Sequence, residues 1–461
     1  MNSSPSRYAD QGAAVDDRSE RYCVVGAGAG GLAAAKNLLE VGVEVDVIEA
    51  ESGVGGIWNP DNATSPAYRS IHLITSKKWI EYTDFPIPED YPTYLGLNHA
   101  NAYLRSYASW SGAKDHIEFE RRVEDIERTD GDSTWLVTLN GGQRRRYGGV
   151  VIANGHNSVP RWPELSGSFD GTIFHAAQHD DPGIFDGRRV LVMGGGTSGA
   201  DISVEASARA EATFLSIRRG CYYWPKYILG MPVDEFYEKV LKLRMPRSVV
   251  RIGASAFLRG SSAGDPRAYG LPRPPHRLLE EHFVINSTLL YQLGHGRIQP
   301  KPDVASMDGD GVRFNDGTRE KIDTIVCATG YEQAHIPFID PAHLNWDGRI
   351  PQLHLHAFHP DYDNLFVIGL FQTSTGNWQI MDHQSRVMAR FVYWMRHDPE
   401  RARALRRAKA RPRFGPALNG GIRFYDSDRH LLQVDHVTLR RELQRLADRL
   451  VVPRTVAVGS C

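Results

Sequence analysis

An α/β fold made of two dinucleotide-binding units, one inserted into the other, is what this sequence predicts. Two observations carry that reading. A strand, a glycine turn, a helix and a second strand follow one another at two places, and a β-meander closing on a buried strand also occurs twice. Strands alternating with helices argue for parallel sheets, so each unit reads as a Rossmann-like domain of the three-layer ββα type. Composition agrees. The 461 residues allow two to four domains with a real core, and 41% hydrophobic content with 44 Gly fits a globular chain.

The first unit starts after a polar tail, residues 1–20, which lacks the apolar run of a secretory signal. Tyr22 to Val25 is a short apolar strand leading into GAGAGG, Gly26 to Gly31. The stretch LAAAKNLLEV is a helix closed by Gly42, and VEVDVIE, Val43 to Glu49, is the next strand. In the second unit RVLVM, Arg189 to Met193, runs into GGGTSG. ADISVEASARA is its helix, and Thr213 to Ile217 is a strand ending in Arg218 and Arg219. The meanders span Val123 to Gly155, with turns at Asp130-Gly131 and Asn140-Gly141, and Val304 to Gly330, with turns at Asp310-Gly311 and Asp316-Gly317.

The inserted domain is expected at 160–320, with the outer domain formed by 21–159 and 321–461. Hinges are expected at Pro160–Pro163 and around Pro300–Pro302. Further on, NLFVIGL, Asn364 to Leu370, is a buried strand, and a helical pattern opens at Gly376 and Asn377. Residues 401–413 carry seven Lys or Arg and no acid, which reads as a solvated helix face or as a contact for a partner or an anionic surface.

Charge and cysteine usage exclude several classes. With 54 Lys+Arg against 55 Asp+Glu there is no basic surplus for a nucleic-acid partner. Cys23, Cys221, Cys327 and Cys461 form no CxxC and no metal pattern, so a reduced, cytoplasmic setting without metal is expected. No apolar run reaches the ~18 residues of a membrane span.

The glycine turns specify chemistry. Gly26 permits the tight turn, Gly28 lets backbone approach a pyrophosphate at the helix N-terminus, and Gly31 lets helix and strand pack. Glu49 stands 23 positions past Gly26, where a carboxylate accepts a ribose diol and repels a 2′-phosphate. Gly194, Gly196, Thr197, Ser198 and Gly199 repeat the arrangement, and the guanidinium of Arg218 or Arg219 would grip a 2′-phosphate, which points to NADPH. A nicotinamide donor needs an acceptor, so the first nucleotide is read as FAD. Gly56 and Trp58, in GGIW, would meet the flavin, as would Gly369 and the helix end at Asn377, whose dipole favours negative charge. No cysteine pair can relay electrons, so reduced flavin must pass them to a diffusible acceptor, and O2 is the obvious one.

The chain resembles the flavin-containing monooxygenases, class B flavoprotein monooxygenases that include Baeyer–Villiger enzymes, over about residues 20–450. Phe169, Gly171 and His175 form F-x-G-x-x-x-H just before the second glycine turn; VGGIWN, Ser76 to Tyr94 and ATGY, Ala328 to Tyr331, match further segments. The resemblance implies FAD and NADPH, and insertion of one oxygen atom of O2 through a flavin C4a-(hydro)peroxide. N- or S-oxygenation is the leading reading, Baeyer–Villiger oxygenation of a ketone the alternative. An NADPH oxidase releasing hydrogen peroxide is the reading from another class.

Two positions depart from the family. His179 stands where its fingerprint has an aromatic, as in a bacterial subgroup with Baeyer–Villiger activity and use of NADPH or NADH. Ile74 stands where the family has its active-site asparagine. His72 or Thr75 would have to substitute, and in a strand His72 would share a face with Ile74. His175 is read as positioning. Substrate residues are expected within about 220–300. The partners expected are a small organic substrate and O2, with a homodimer left open.

Overall fold

The computed structural model describes residues 14–62, 65–129, 133–243, 245–260, 264–346 and 348–453. The start of the tail, the Asp130-Gly131 turn and Cys461 lie outside the described residues.

The outer sheet is built from β1 (Asp16–Val25), β2 (Val45–Ile48), β3 (Ile117–Glu118), β4 (Val123–Arg128), β5 (Trp135–Leu139) and β6 (Arg144–Ile152), in the order β3-β2-β1-β6-β5-β4. Helix α1 (Ala29–Glu40) crosses from β1 to β2; α2 (Lys77–Ile80) and α3 (Leu97–Trp110) follow. Alternation sorts the side chains. Tyr22, Val24, Val45 and Val47 face the helix layer, while Cys23, Val25 and Ile48 face Trp135, Val137 and Leu139.

β1 begins at Asp16, inside the stretch read as tail, and pairs Asp16–Arg18 with Arg145–Tyr147 before a bulge at Arg18/Tyr22. Its charges hold it there: Arg18 lies 2.6 Å from Asp46 and 3.4 Å from Glu118.

The second sheet holds β7 (Thr172–His175), β8 (Arg189–Met193) and β9 (Ala212–Ser216), with α4 (Thr197–Ser207) between the last two. Two small pairs follow. β10 (Tyr223–Trp224) pairs with β13 (Val284–Ile285), and β11 (Tyr227–Ile228) with β12 (Met231–Pro232). Helices α5 (Val233–Lys242), α6 (Arg247–Gly260) and α7 (Leu289–Gly294) fill the interval before β14 (Ile298–Lys301). β15 (Val304–Asp308), β16 (Gly311–Phe314) and β17 (Arg319–Lys321) form a separate antiparallel sheet, and β18 (Thr324–Cys327) returns to the parallel one. The parallel order is β14-β9-β8-β18-β7. Val190, Val192 and Leu215 face α4 and α7, whereas Leu191, Met193 and Phe214 face Val312 and Phe314 of the small sheet. Three layers result.

Three organisational expectations are corrected. The TIVC strand β18 pairs with β7 and β8, so the chain leaves the second sheet after Cys327 rather than at 320. The crossing back is marked by Arg161 N–H on the Gly330 carbonyl at 2.9 Å and a Pro160/Tyr331 bridge. Pro300 is not a hinge. It lies in β14 beside Leu215, and β14 is an edge strand, where a missing N–H costs no ladder bond. The β15–β16 turn is also displaced. Gly309 carries the positive φ of 61°, and Gly311 already belongs to β16.

β19 (Leu365–Val367) pairs in parallel with the C-terminal half of β6. Helices α8 (Asn377–His397), α9 (Pro399–Lys409) and α10 (His436–Arg449) close the core, α8 packing on α1. The basic stretch is largely paired. Arg401 meets Asp398, Arg403 meets Glu400, Arg406 and Lys409 meet Asp363, and Arg413 meets Glu442. Among the described residues no helix is long and apolar enough to cross a membrane, and no His/Cys/Asp/Glu group could hold a metal ion.

Candidate active site

The two glycine turns do different work at different positions. Gly26 has φ 101°, and a methyl there would sit 2.8 Å from the Ala153 carbonyl oxygen. A methyl on Gly31 would run into the Gly26 carbonyl; Gly194 and Gly199 are blocked likewise by Ala328 and Gly194. Those four glycines are demanded by the protein's own packing. Gly28 and Gly196 are not. A methyl on Gly28 would meet nothing nearer than Gly56 Cα at 3.6 Å, and one on Gly196 nothing within 4 Å. Both are in extended backbone at the N-caps of α1 and α4. A Cβ would fit at both, beside the first N–H groups of each helix, which have no acceptor within the helix and suit an anion.

Glu49 ends the strand beside the first turn. It accepts the Ala27 N–H at 2.6 Å and the Glu51 N–H at 2.9 Å. Burial raises its carboxyl although these bonds pull the other way. The Gly55 N–H bonds Ala27 O at 3.1 Å, which lays the turn Gly56–Trp58 over Gly28. Trp58 meets Trp378, in the first turn of α8, edge-on at 6.2 Å. Gly28, Gly56, Trp58 and the α8 N-terminus therefore surround one place. Gly369, with φ 86°, receives its N–H partner from Gln384 of α8 at 3.2 Å. Asn377 Oδ1 lies 2.9 Å from the Thr373 hydroxyl.

Helix α8 begins where it does because Gly376 has no side chain: a methyl there would strike the Trp79 carbonyl of α2. Gly376→Ala is expected to lower stability by about 1–3 kcal/mol, the usual cost of overpacking. A thermal midpoint equal to the parent's would remove that contact from the argument.

The stretch before α2 is not a strand. His72 makes an isolated bridge to Gly96, and the chain bends at Ile74 and Thr75. His72 is exposed, its Nδ1 2.9 Å from the Ser70 carbonyl, whereas Thr75 is buried and Ile74 packs on the core of the second unit. The shared face expected for His72 and Ile74 is thereby corrected, since the bend breaks the alternation. Ser76 N–H donates to Asp234 at 2.7 Å, and Lys77 Nζ reaches the carbonyls of Glu89 and Tyr91 at 2.6 and 2.7 Å. Lys77 thus clamps the loop up to Tyr94.

A family model described as flavin-binding monooxygenase-like matches residues 19–449. The chain belongs to that family. Flavin-containing monooxygenase 5 of Rattus norvegicus is 29% identical over 452 residues, 93% of this chain and 82% of the relative. Dimethylaniline monooxygenase [N-oxide-forming] 2 of Pan troglodytes is 29% identical over 394 residues, 81% of this chain and 73% of the relative. Among solved structures, cyclohexanone monooxygenase from Rhodococcus sp. Phi1 bound to NADP+ has a TM-score of 0.67 at 18% identity, covering 94% and 97% of the two chains. The protein is an FAD- and NADPH-dependent monooxygenase. These likenesses give no support to an oxidase that releases hydrogen peroxide as its product.

In this monooxygenase the two arginines after β9 differ. Arg218 is exposed, with no ion pair among the described residues. Arg219 lies 3.3 Å from Glu281 and 4.8 Å over the Tyr425 ring. Burial alone would raise the Glu281 carboxyl, but the His276 hydrogen bond and the Arg429 and Arg219 charges hold it below its ordinary range. Arg219 is thus engaged elsewhere, because the loop 276–281 carries a buried carboxylate that needs it.

His175 is fully buried. Its Nδ1 accepts the Ala177 N–H at 3.1 Å, so Nε2 carries the proton and donates to the Gly330 carbonyl at 3.1 Å. That bond ties β7 to the crossing after β18. His179 donates from Nε2 to Glu205 at 2.6 Å, beside Tyr68, Phe174 and Phe185.

Sequence reasoning missed an aromatic wall beside Trp378. Tyr82 stacks on Tyr107 at 3.8 Å, and Tyr103 on Trp378 at 5.9 Å. The available signal was Tyr103 and Tyr107, four apart on one helix face.

Proposed function

We propose that the monooxygenase oxygenates a small organic molecule, and that its two glycine turns hold the two dinucleotides. The observation that carries this is that the chain's own packing does not demand a glycine at Gly28 or Gly196, at the N-caps of α1 and α4. Gly26, Gly28, Gly31 and Glu49 would hold FAD, with Gly56, Trp58, Gly369 and Asn377 around its ring. Gly194, Gly196, Thr197, Ser198, Gly199 and Arg218 would hold NADPH. When bound, the flavin supplies hydride acceptance from NADPH and activation of O2. Overall, substrate, O2, NADPH and a proton give oxygenated product, water and NADP+.

The chain's part is binding, orientation and exclusion of water. The N–H groups opening α1 and α4 suit pyrophosphates, and the α8 N-terminus favours negative charge in front of Asn377. Tyr82, Tyr103, Tyr107 and Trp378 wall off solvent, which strengthens every polar interaction inside. Ile74, His72 and Thr75 bound the reacting side of the site.

Oxygenation of a soft nitrogen or sulfur is the first reading, supported by the relative named for N-oxide formation. A ketone is the second, supported by the structural likeness to cyclohexanone monooxygenase. Three six-membered rings separate them: N-methylpiperidine, thiane and cyclohexanone, with NADPH consumed measured against product and peroxide. One ring should be oxygenated with little peroxide. Stoichiometric peroxide with all three would overturn the reading. Ile74→Asn restores the family's amide, so peroxide per NADPH is expected to fall. Unchanged peroxide would take Ile74 out of the reacting site.

Buried free thiols at Cys23, Cys221 and Cys327 support a reducing, cytoplasmic setting.

A further inference from the structure

The two glycine turns share one backbone shape but are pinned by different donors. Gly26 and Gly194 have φ of 101° and 122°, and their N–H groups bond the carbonyls of Ile48 and Ser216 at 2.8 and 2.9 Å. Gly28 and Gly196 have ψ of −174° and −176°. Between them stand Ala27 in the first turn and Gly195 in the second. The Ala27 carbonyl accepts the Gly55 N–H at 3.1 Å. The Gly195 carbonyl accepts two side chains instead, the Cys221 thiol at 3.1 Å and the Tyr223 hydroxyl at 3.1 Å. The same atom is held in both units, by main chain in one and by side chains in the other.

That carbonyl matters because of what lies across its peptide. A peptide unit is planar and trans, so its C=O and N–H point in opposite directions. Fixing the Gly195 oxygen fixes the Gly196 N–H, and Gly196 is the N-cap of α4. A carbonyl free to turn would present negative charge to an anion at that helix end.

Both donors are firmly placed. After β9 the chain passes Gly220, where a methyl would run into the Pro272 carbonyl, and Tyr223 then enters β10 opposite Val284. Cys221 and Tyr223 are 3% and 2% exposed. Burial pushes the Cys221 thiol up to about 11 and the Tyr223 hydroxyl well above its ordinary range, so at neutral pH both keep their hydrogens and donate. Gly195 leaves the room for them: a methyl there would stand 3.1 Å from the Tyr223 oxygen. The segment that carries Arg218 therefore also reaches the turn, three and five residues further on.

We propose that Cys221 and Tyr223 are positioning residues for the coenzyme: by holding the Gly195 carbonyl they set the peptide that meets the pyrophosphate, for NADPH and NADH alike. The inference rests on the reading that the second turn holds the nicotinamide dinucleotide. It is separate from Arg218, whose part is the 2′-phosphate. The pyrophosphate is common to both coenzymes, so losing these donors weakens both by the same factor.

The test uses flavin-loaded parent, Tyr223→Phe, Cys221→Ala, Cys221→Ser and the double variant Tyr223→Phe/Cys221→Ala. NADP+ and NAD+ are titrated calorimetrically into the oxidised holoenzyme, and anaerobic reduction by NADPH and NADH gives the limiting rates. Tyr223→Phe keeps the ring in the core and removes one donor. Each Kd should rise about 2- to 10-fold, the net worth of a neutral hydrogen bond, and further in the double variant. The NADP+/NAD+ ratio should stay within about twofold, and the limiting rate should change less than the Kd. Cys221→Ser keeps a donor and should recover most of what Cys221→Ala loses. If the double variant does not fold, Tyr223→Phe decides alone. Coenzyme Kd values equal to the parent's, with only the thermal midpoint lowered, would make the pair purely structural and overturn the proposal. A loss confined to NADP+ would overturn it too, since the effect would then belong to the 2′-phosphate. Gly196→Val tests the reading beneath. If NADPH reduces it as fast as the parent, the coenzyme lies elsewhere and that reading fails. If it is silent to NADPH while the Tyr223 and Cys221 variants bind coenzyme like the parent, only the positioning claim falls.

Discussion

Gly28→Val protein is expected to purify colourless, and Gly196→Val protein yellow but unreduced by NADPH. The expectation rests on what the protein does not need. At Gly28 φ is −77° and at Gly196 −76°, conformations any residue adopts. Neither position is crowded by the chain, since the nearest atom to a methyl on Gly28 is 3.6 Å away and Gly196 has none within 4 Å. The folded protein should therefore tolerate both side chains, and what they fill is the ligand's space. Flavin absorbance after gel filtration and anaerobic reduction by NADPH read the two sites separately. Gly31→Ala is the contrast. Its methyl would run into the Gly26 carbonyl, so it should damage the fold itself, seen as a lower thermal midpoint. If Gly196→Val alone came out colourless, the two nucleotides would have to be exchanged between the turns.

What the sequence could and could not tell follows from how local each constraint is. Gly26 and Gly31 act on one another within six positions, so their turn is visible in the residues themselves. The membership of β18 was not, because a TIVC strand pairs equally well with either sheet until its register with Ile173 and Leu191 is known. Pro300 reads as a breaker in any window, and only its position on an edge strand makes it harmless. DDRSER reads as tail because its charges hide the strand; Asp46 and Glu118, which neutralise Arg18, are far along the chain. At the site, the bend at Ile74–Thr75 could not be inferred from alternation. The aromatic wall joins Tyr82, Tyr103 and Trp378 from three distant segments, so no single motif could announce it whole.

Arg218→Ala should weaken NADPH use by about 10- to 150-fold while scarcely touching NADH, because a hydrogen bond to a charged group contributes about 1.5–3 kcal/mol. Both Arg218 and Arg219 are placed to follow β9, and the sequence alone leaves the phosphate to either. The geometry divides them. Arg219 would have to leave Glu281, which already draws on His276 and Arg429, and the face of Tyr425. Withdrawing it exposes a buried carboxylate to loss of a partner, a cost that offsets any gain at the phosphate. Arg218 is exposed, so its guanidinium gives up only solvent. The double variant should therefore lose little more NADPH preference than Arg218→Ala. Arg219→Ala should instead lower the thermal midpoint while keeping the coenzyme ratio. The measurement is kcat/KM for both coenzymes, taken as a ratio so that damage common to both cancels. If Arg218→Ala keeps the parent ratio and Arg219→Ala loses it, Glu281 releases its arginine to the phosphate, and the clamp belongs to Arg219.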